Sequence, residues 1–586
     1  MLDKFAVGGS IIALALLSFF QYPGHTYLAS DTQIYAPMLE HLWNPATLAR
    51  DLVAPKPHLA FTIYDEVALG LRRAAGLPFE TSLIAQQFVF RCLHVFGVYL
   101  IALSVPLSRR LALLVAAVAS LGAFIIGPAV MVMELEPVPR GFATSLVFLG
   151  VGLAAQGRPA LSGVAGGLAF LYHPPAAIPF LTCAVVRRQY RALAPPAIAI
   201  AILAMLAYPT AGLLFGRVTA ELEQIQKLRA SYNWISTWEQ RWLWQYIILW
   251  ALSLVALWRA RPQAAREFLI GLPLIGILSA PLSYLLLDRL KWGLIPQYQP
   301  ARALLFVTAF AIILAAIAAC RAAHWAERAA WSVIAFATAL QPDLLHTPDW
   351  RILIGAAIMT AALYAQRFRW GLAALAVAVL AMYALPIRTY ARMETPELDD
   401  LAGFARASTP ADSVFIFADA GRSLTPGVFR ARSLRALYVD WKSGGQANFS
   451  PALAQEWRNR WEQTGELRFT GGALAPLENL DIDYAVVNVA HRVTDREPIY
   501  KNATYAVYWL SARKRSTSAR EGIDDCAPGR VTEIAAAAFA KRNASGIERC
   551  SASATASAAL NVSPAAVVSR AITGNAGLAH SISPSK

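Results

Sequence analysis

Charge is scarce in this sequence. Only 15% of its 586 residues are Asp, Glu, Lys or Arg, against 57% hydrophobic, and the mean hydropathy is +0.44. That balance excludes an ordinary soluble domain. Cysteine is also rare, at five residues. Cys92, Cys183 and Cys320 fall in apolar runs and read as small hydrophobes, so only Cys526 and Cys550 remain to pair. No Cys/His spacing for a metal is present. No glycine-rich phosphate fingerprint occurs. The apolar runs carry almost no charge and no internal repeat, both of which a transporter or lipid flippase would predict.

What is present is a series of apolar runs near 20 residues long, the mark of a polytopic α-helical membrane protein. Phe5 to Phe20 is the first. Gln21-Tyr22-Pro23 follows it instead of a small-residue cleavage site, so it reads as a retained membrane helix. The net charge of +15 does not point to nucleic acid, because much of it sits in short clusters between apolar runs. These clusters are Arg109-Arg110, Arg158, Arg187-Arg188-Arg191, Arg259-Arg261-Arg266, Arg321-Arg328 and Arg367-Arg369. One topology puts all six on the cytoplasmic side. It needs about thirteen transmembrane helices, a cytoplasmic N-terminus and an extracytoplasmic C-terminal region. Arg-rich, Ala-rich usage suits the inner membrane of a high-GC bacterium.

This topology divides the chain into a multi-pass region over 1–386, a small extracytoplasmic α/β domain over 387–510 and an Ala/Ser-rich tail over 511–586. The tail reads as mostly disordered. In the α/β part, helices are expected over Glu397–Ala407 and Pro451–Gln463. Strands are expected over Ser413–Phe417, Leu434–Asp440, Ile482–Asn488 and Thr504–Leu510. Four long segments fall on the outside face: Gln21–Ser82, Gly127–Arg140, Gly216–Arg241 and Asp288–Arg302. The third, with Tyr232-Asn233-Trp234 and Trp238, reads as an aromatic-anchored interfacial helix.

Within the first segment, Ser30-Asp31-Thr32-Gln33-Ile34-Tyr35 places a carboxylate just where the chain leaves the bilayer, a functional position by default. The same spacing also fits an N-cap, with Ser30 or Asp31 opening a helix through Tyr35, Leu39 and Leu42. Positive charge outside is not explained by the topology rule, and Lys56, Arg72, Arg73, Arg140, Lys291 and Arg302 all fall there. A phosphate near lipid headgroups needs Arg or Lys partners, and a hydroxyl attacking a sugar carbon needs a carboxylate to take its proton. The candidate catalytic acids are therefore Asp31, Glu134 and Glu136. The candidate substrate-binding residues are Lys56, His58, Arg140, His173, Lys291 and Arg302. The plainer alternatives are solvated loop charges for Glu134 and Glu136, a topological anchor for Arg302 and a hydrogen-bonded interfacial role for His173.

Over about residues 1–510 this arrangement resembles the GT-C superfamily of integral membrane glycosyltransferases. The likeness rests on the Asp31 stretch and on Leu171-Tyr172-His173-Pro174, Gln297-Tyr298-Gln299-Pro300-Ala301-Arg302 and Leu437-Tyr438-Val439-Asp440-Trp441-Lys442-Ser443. The resemblance implies a polyprenyl-phosphate-linked sugar donor and an acceptor outside the cytoplasm. It makes Asp31 the general base, or a ligand of a divalent cation in metal-using members, and Arg302 a partner of the donor phosphate. Thr32 stands where several families carry a second acid beside the first, a role open to Glu134 or Glu136. No Trp-Trp-Asp signature is evident, so peptide glycosylation is not expected. The alternatives are a membrane scaffold without catalysis and a transporter, either with an outer interaction domain.

Overall fold

The computed structural model describes residues 4–56, 62–188, 190–206, 216–345, 350–366, 368, 370–384 and 393–510. The chain divides into two units, Met1–Arg513 and Lys514–Lys586. The second, with the expected disordered tail, Cys526 and Cys550, lies outside the described residues, as do His58, Arg367 and Arg369.

The first unit is mostly helical. In order, α1 is Lys4–Phe20, α2 Thr32–Trp43, α3 Tyr64–Ala75, α4 Phe79–Ala102 and α5 Arg109–Ala119. A two-stranded hairpin, β1 Phe124–Ile125 and β2 Val130–Met131, precedes α6 Pro139–Ala155, α7 Pro159–Tyr172, α8 Pro174–Val186 and α9 Tyr190–Leu206. Then come α10 Ala220–Arg229, α11 Gln240–Ala260, α12 Arg266–Ser283, the single turn α13 Ile295–Tyr298, α14 Leu304–Arg321, α15 Trp325–Leu340, α16 Trp350–Ala365 and α17 Gly371–Ala384. Among the described residues, four helical stretches are long and apolar enough to cross a membrane: Phe79–Ala102, Gln240–Ala260, Arg266–Arg289 and Ile295–Arg321. Seven shorter apolar helices accompany them. Among the described residues the structure thus shows a membrane-type helical body. Large apolar side chains face outward, among them Val186 at 72% and Val377 at 66% exposure. A surface of that kind suits lipid, not water.

Helix α14 is the axis of this body. Every residue from Leu304 to Ala319 is buried, because α5, α11, α12 and α15 pack round it. A helix apolar on all sides has no face to give to solvent and goes to the centre. Elsewhere small residues bring backbones together. At the crossing of α4 and α6, a Cβ on Gly97 would lie 2.5 Å from the Leu149 nitrogen, and one on Gly152 would lie 2.6 Å from the Gly97 carbonyl oxygen. The run around Gly163–Val185 is two helices, as the His173-Pro174-Pro175 break implies.

The C-terminal part adds α18 Pro396–Ser408, β3 Val414–Phe417, α19 Thr425–Ser433, β4 Ala436–Leu437, α20 Pro451–Gln463, β5 Tyr484–Asn488, β6 Tyr500–Lys501 and β7 Tyr505–Trp509. Its sheet runs β4-β3-β5-β7-β6. Strand β3 is parallel to both β4 and β5, while β7 is antiparallel to β5 and β6. The expected strand over Leu434–Asp440 shrinks to two residues, because the chain leaves the sheet at Tyr438 to make contacts described below. The Gly216–Arg241 segment is not one interfacial helix. It is α10 followed by two 3-10 turns, Ser231–Asn233 and Ile235–Thr237.

The four long segments meet on one face, with the sheet region docked on them. Arg430 of α19 is fully buried there and donates to the Gln33 carbonyl of α2 at 3.0 Å and to Ser443 Oγ at 2.9 Å. Asp51 at 3.7 Å and Asp440 at 3.5 Å balance its charge. Asp51 also accepts from the Leu437 amide at 3.0 Å. Arg50 pairs with Asp481 and Asp483, and Arg432 with Glu80 and Glu394.

Replacing Gly97 with Val is expected to force α4 off α6 and cost about 1–3 kcal/mol, seen as a lower Tm of the detergent-solubilised protein. An unchanged Tm would show that the two helices do not cross this closely.

Candidate functional site

Asp31 occupies the N-cap position of α2, but its side chain does not cap the helix. Glu136 does so from a distant segment. One Glu136 oxygen accepts from the amides of Ser30 at 2.9 Å and Thr32 at 3.4 Å, and the other from the Asp31 amide at 2.8 Å. The Thr32 hydroxyl donates to the same carboxylate. With the helix end satisfied by Glu136, the Asp31 carboxylate is released to point elsewhere.

It points at two cations. Arg140 Nη1 donates to Asp31 Oδ2 at 2.6 Å, and Lys442 Nζ donates to Oδ1 at 2.6 Å and to Ser30 Oγ at 2.8 Å. Arg140 uses Nε and Nη2 on Glu134, at 2.6 and 3.2 Å, so one guanidinium bridges both acids. Burial alone would raise the Asp31 acid, yet Lys442 and Arg140 outweigh it and hold the acid well below the usual carboxylate range. Glu136 goes the other way. Burial, then the nearby Asp31 charge, push its acid up, against the opposing hydrogen bonds from Thr32 and Ser30.

Glu134, Arg140, His173 and Arg302 line one small cavity with Val130, Thr144 and Phe306. Arg302 sits in the turn Pro300–Ala303 that leads into α14. Its Nε is buried with no hydrogen-bond partner among the described residues, and its guanidinium lies 5.7 Å from the Tyr232 ring centre. It is within electrostatic reach of Arg140 and Asp31. His173 Nδ1 accepts from the Ala176 amide at 3.2 Å and so caps α8 at the cavity edge.

Of the residues picked from the sequence, Asp31, Glu134 and Arg140 touch, Glu136 braces them, and His173 and Arg302 share the cavity. Glu136 is a capping residue here and not a second acid facing the cavity, because its oxygens are used on main-chain amides. Lys56 and Lys291 are elsewhere. Lys56 is half-exposed and paired with Glu456 at 2.6 Å. Lys291 is paired with Glu223 at 2.7 Å and stacked 4.6 Å from Trp234. His58 lies outside the described residues. Lys442 was missed as a site residue. The signal for it was its place in the stretch Leu437–Ser443 that carried the resemblance, beside Trp441 and just past a strand.

The donor set does not fit a resident divalent cation at Asp31. Both of its oxygens already meet cations, and among the described residues no group of three His, Cys, Asp or Glu side chains is placed to hold a metal. The arrangement can instead hold an anion and, once the cations are engaged by it, offer a carboxylate. The chain matches no protein-family profile and no curated protein.

Because the folded Asp31 acid is depressed, its ion pairs contribute stability that is complete above about pH 4 and is lost only as pH falls through the lower folded value. Asp31→Asn is expected to cost roughly 3 kcal/mol, since it strands Lys442. That gap should stay constant from about pH 8 down to about pH 5 and close below it. Chemical unfolding of both proteins across this range checks it, and a gap that closes at neutral pH would refute the pairing.

Proposed function

We propose that this chain is a membrane glycosyltransferase of the GT-C kind, moving a sugar from a polyprenyl-phosphate-linked donor to an extracytoplasmic acceptor. The observation that supports this reading is the meeting of Asp31 with Arg140 and Lys442, with Arg140 and Arg302 lining one small cavity beside it. In this reading about thirteen helices cross a bacterial inner membrane, the four long and seven shorter apolar helices among them. The N-terminus is then cytoplasmic and the sheet region extracytoplasmic.

In the reaction, the acceptor hydroxyl attacks the anomeric carbon and the bond from that carbon to the phosphate oxygen breaks. The bonding pair leaves with the polyprenyl phosphate, which Arg302 and Arg140 hold. The hydroxyl proton passes to Asp31. At rest Asp31 is a weak base, because two cations grip it. The donor phosphate relieves this by competing for Arg140 and Lys442. Donor binding therefore raises the basicity of Asp31 at the step that needs it.

The completeness of the resting ion pairs favours one other reading, a brace without catalysis. Release of polyprenyl phosphate from labelled lipid-linked sugars separates the two. Turnover by the wild type and a loss of about 10²–10⁴-fold in Asp31→Asn are expected. Equal turnover by both proteins would remove Asp31 as the base, and no turnover by either over a broad donor panel would leave the brace. Arg302→Gln is expected to raise KM for the donor by about tenfold or more, the loss of one charge-assisted contact. An unchanged KM would remove Arg302 from the donor site.

A further inference from the structure

The sheet region carries a second feature that the transfer step leaves unused. Strand β3 lies between β4 and β5 and is parallel to both. The chain passes from β3 to β4 on one side and then to β5 on the other. Strand order therefore reverses at β3. In open parallel sheets a crevice forms at such a point, beyond the carboxyl ends of the strands, and ligands bind there. The reversal falls between β3 and β5, so segment 418–424, after β3, borders the crevice, and segment 438–443, after β4, lies beside 418–424 on its other flank.

The first segment is firmly held. Asp419 Oδ2 accepts from the Asn488 amide at 2.7 Å and meets His491 Nδ1 at 2.7 Å. The Gly421 amide donates to the Leu467 carbonyl at 3.0 Å. From this anchored turn Arg422 projects, exposed, and its guanidinium lies 4.8 Å from the centre of the Trp441 ring. Arg229, at the end of α10, reaches the same ring at 4.1 Å. Two guanidiniums thus share one partly exposed indole. Among the described residues neither is paired with a carboxylate. Asp440 turns one oxygen to Arg430 and Ser443 and acts on Arg229 only electrostatically, without pairing with it. Arg229 Nε is buried without a hydrogen-bond partner, and so is Asn448 Oδ1 on the neighbouring turn.

Like charges held this close repel, and one indole compensates them only in part. Burial, with Arg422 adding to it, pushes the Arg229 guanidinium down to about 10. An anion between the two would offset that repulsion. The position relative to Asp31 is set by covalent structure. Arg229 Nη2 lies 3.4 Å from the Lys442 carbonyl oxygen, and Lys442 Nζ is on Asp31. An anion on Trp441 therefore sits one residue from the carboxylate.

We propose that the turns beyond β3 and β4 bind an oxyanion of the acceptor saccharide, a phosphate or a carboxylate, between Arg229 and Arg422 on Trp441. That these turns hold an anion rests on two guanidiniums on one indole. That the anion belongs to the acceptor rests on the transferase reading.

The test is calorimetric binding of glucose 1-phosphate and of glucuronate to the full chain in phosphatidylcholine nanodiscs. At least one probe is expected to bind, and the tighter of the two tells phosphate from carboxylate. Arg422→Gln, at an exposed position where folding is not at stake, is expected to weaken it about tenfold. Asp31→Asn and Arg302→Gln are expected to bind as the wild type does. No binding by either probe overturns the proposal. So does binding that survives Arg422→Gln, or binding that is lost in Arg302→Gln, which would put the anion in the cavity beside Arg140. Binding that depends on Arg422 in a protein that turns over no donor keeps the anion site and removes the transferase reading.

Discussion

The capping of α2 by Glu136 is the constraint from which the rest of the site follows. A helix start leaves amides that must find acceptors, and a local Asp at the N-cap is the usual answer. Here the acceptor comes from more than a hundred residues away, and the local Asp is spared. The spared carboxylate is then stabilised by Arg140 on the same distant segment and by Lys442 from the sheet region. Removing Glu136 would leave those amides without their acceptor. One buried acid thus takes the helix amides, and the cations Lys442 and Arg140 hold the second acid strongly ionised beside it.

The same face is closed by a second buried charge. Arg430 joins α19 to the main chain of α2 and takes its balance from Asp51 and Asp440. A buried ion pair is weak support for stability but costly to break from one side, so its value lies in registry. It places the turn that carries Trp441 and Lys442 over the N-terminus of α2, and therefore over Asp31. The two positive centres differ in a telling way. Around Asp31 the cations are matched by carboxylates, whereas on Trp441 they are not. Arg302 is intermediate, near the acids but with an unfilled donor.

Several elements were legible because they depend on local chemistry. The helices Pro396–Ser408 and Pro451–Gln463 and the strands β3, β5 and β7 lie within a residue or two of where periodicity and β-branched runs put them. The two-residue β4 was not legible, since what ends it is the pull of long-range contacts on Tyr438 to Ser443. The Gly216–Arg241 segment misled for a similar reason. Its aromatic residues read as membrane anchors, yet Trp234 is buried under Lys291 and Lys227, and Tyr232 faces Arg302. Lys56 and Lys291 looked like free cations only because their acidic partners, Glu456 and Glu223, lie far away in sequence.

By itself the sequence determined that this is a helical chain with apolar spans, that a small sheet region follows them, and that Asp31 stands at the start of a helix beside the first span. These are consequences of hydrophobic period and residue type, which act over a few turns. Only the tertiary structure decided that Glu136 and not Asp31 caps that helix, that Arg140 and Lys442 share the freed carboxylate, and that Arg229 and Arg422 converge on Trp441. Those outcomes depend on which charges meet once distant segments pack, and no local pattern records which partner a buried charge will find.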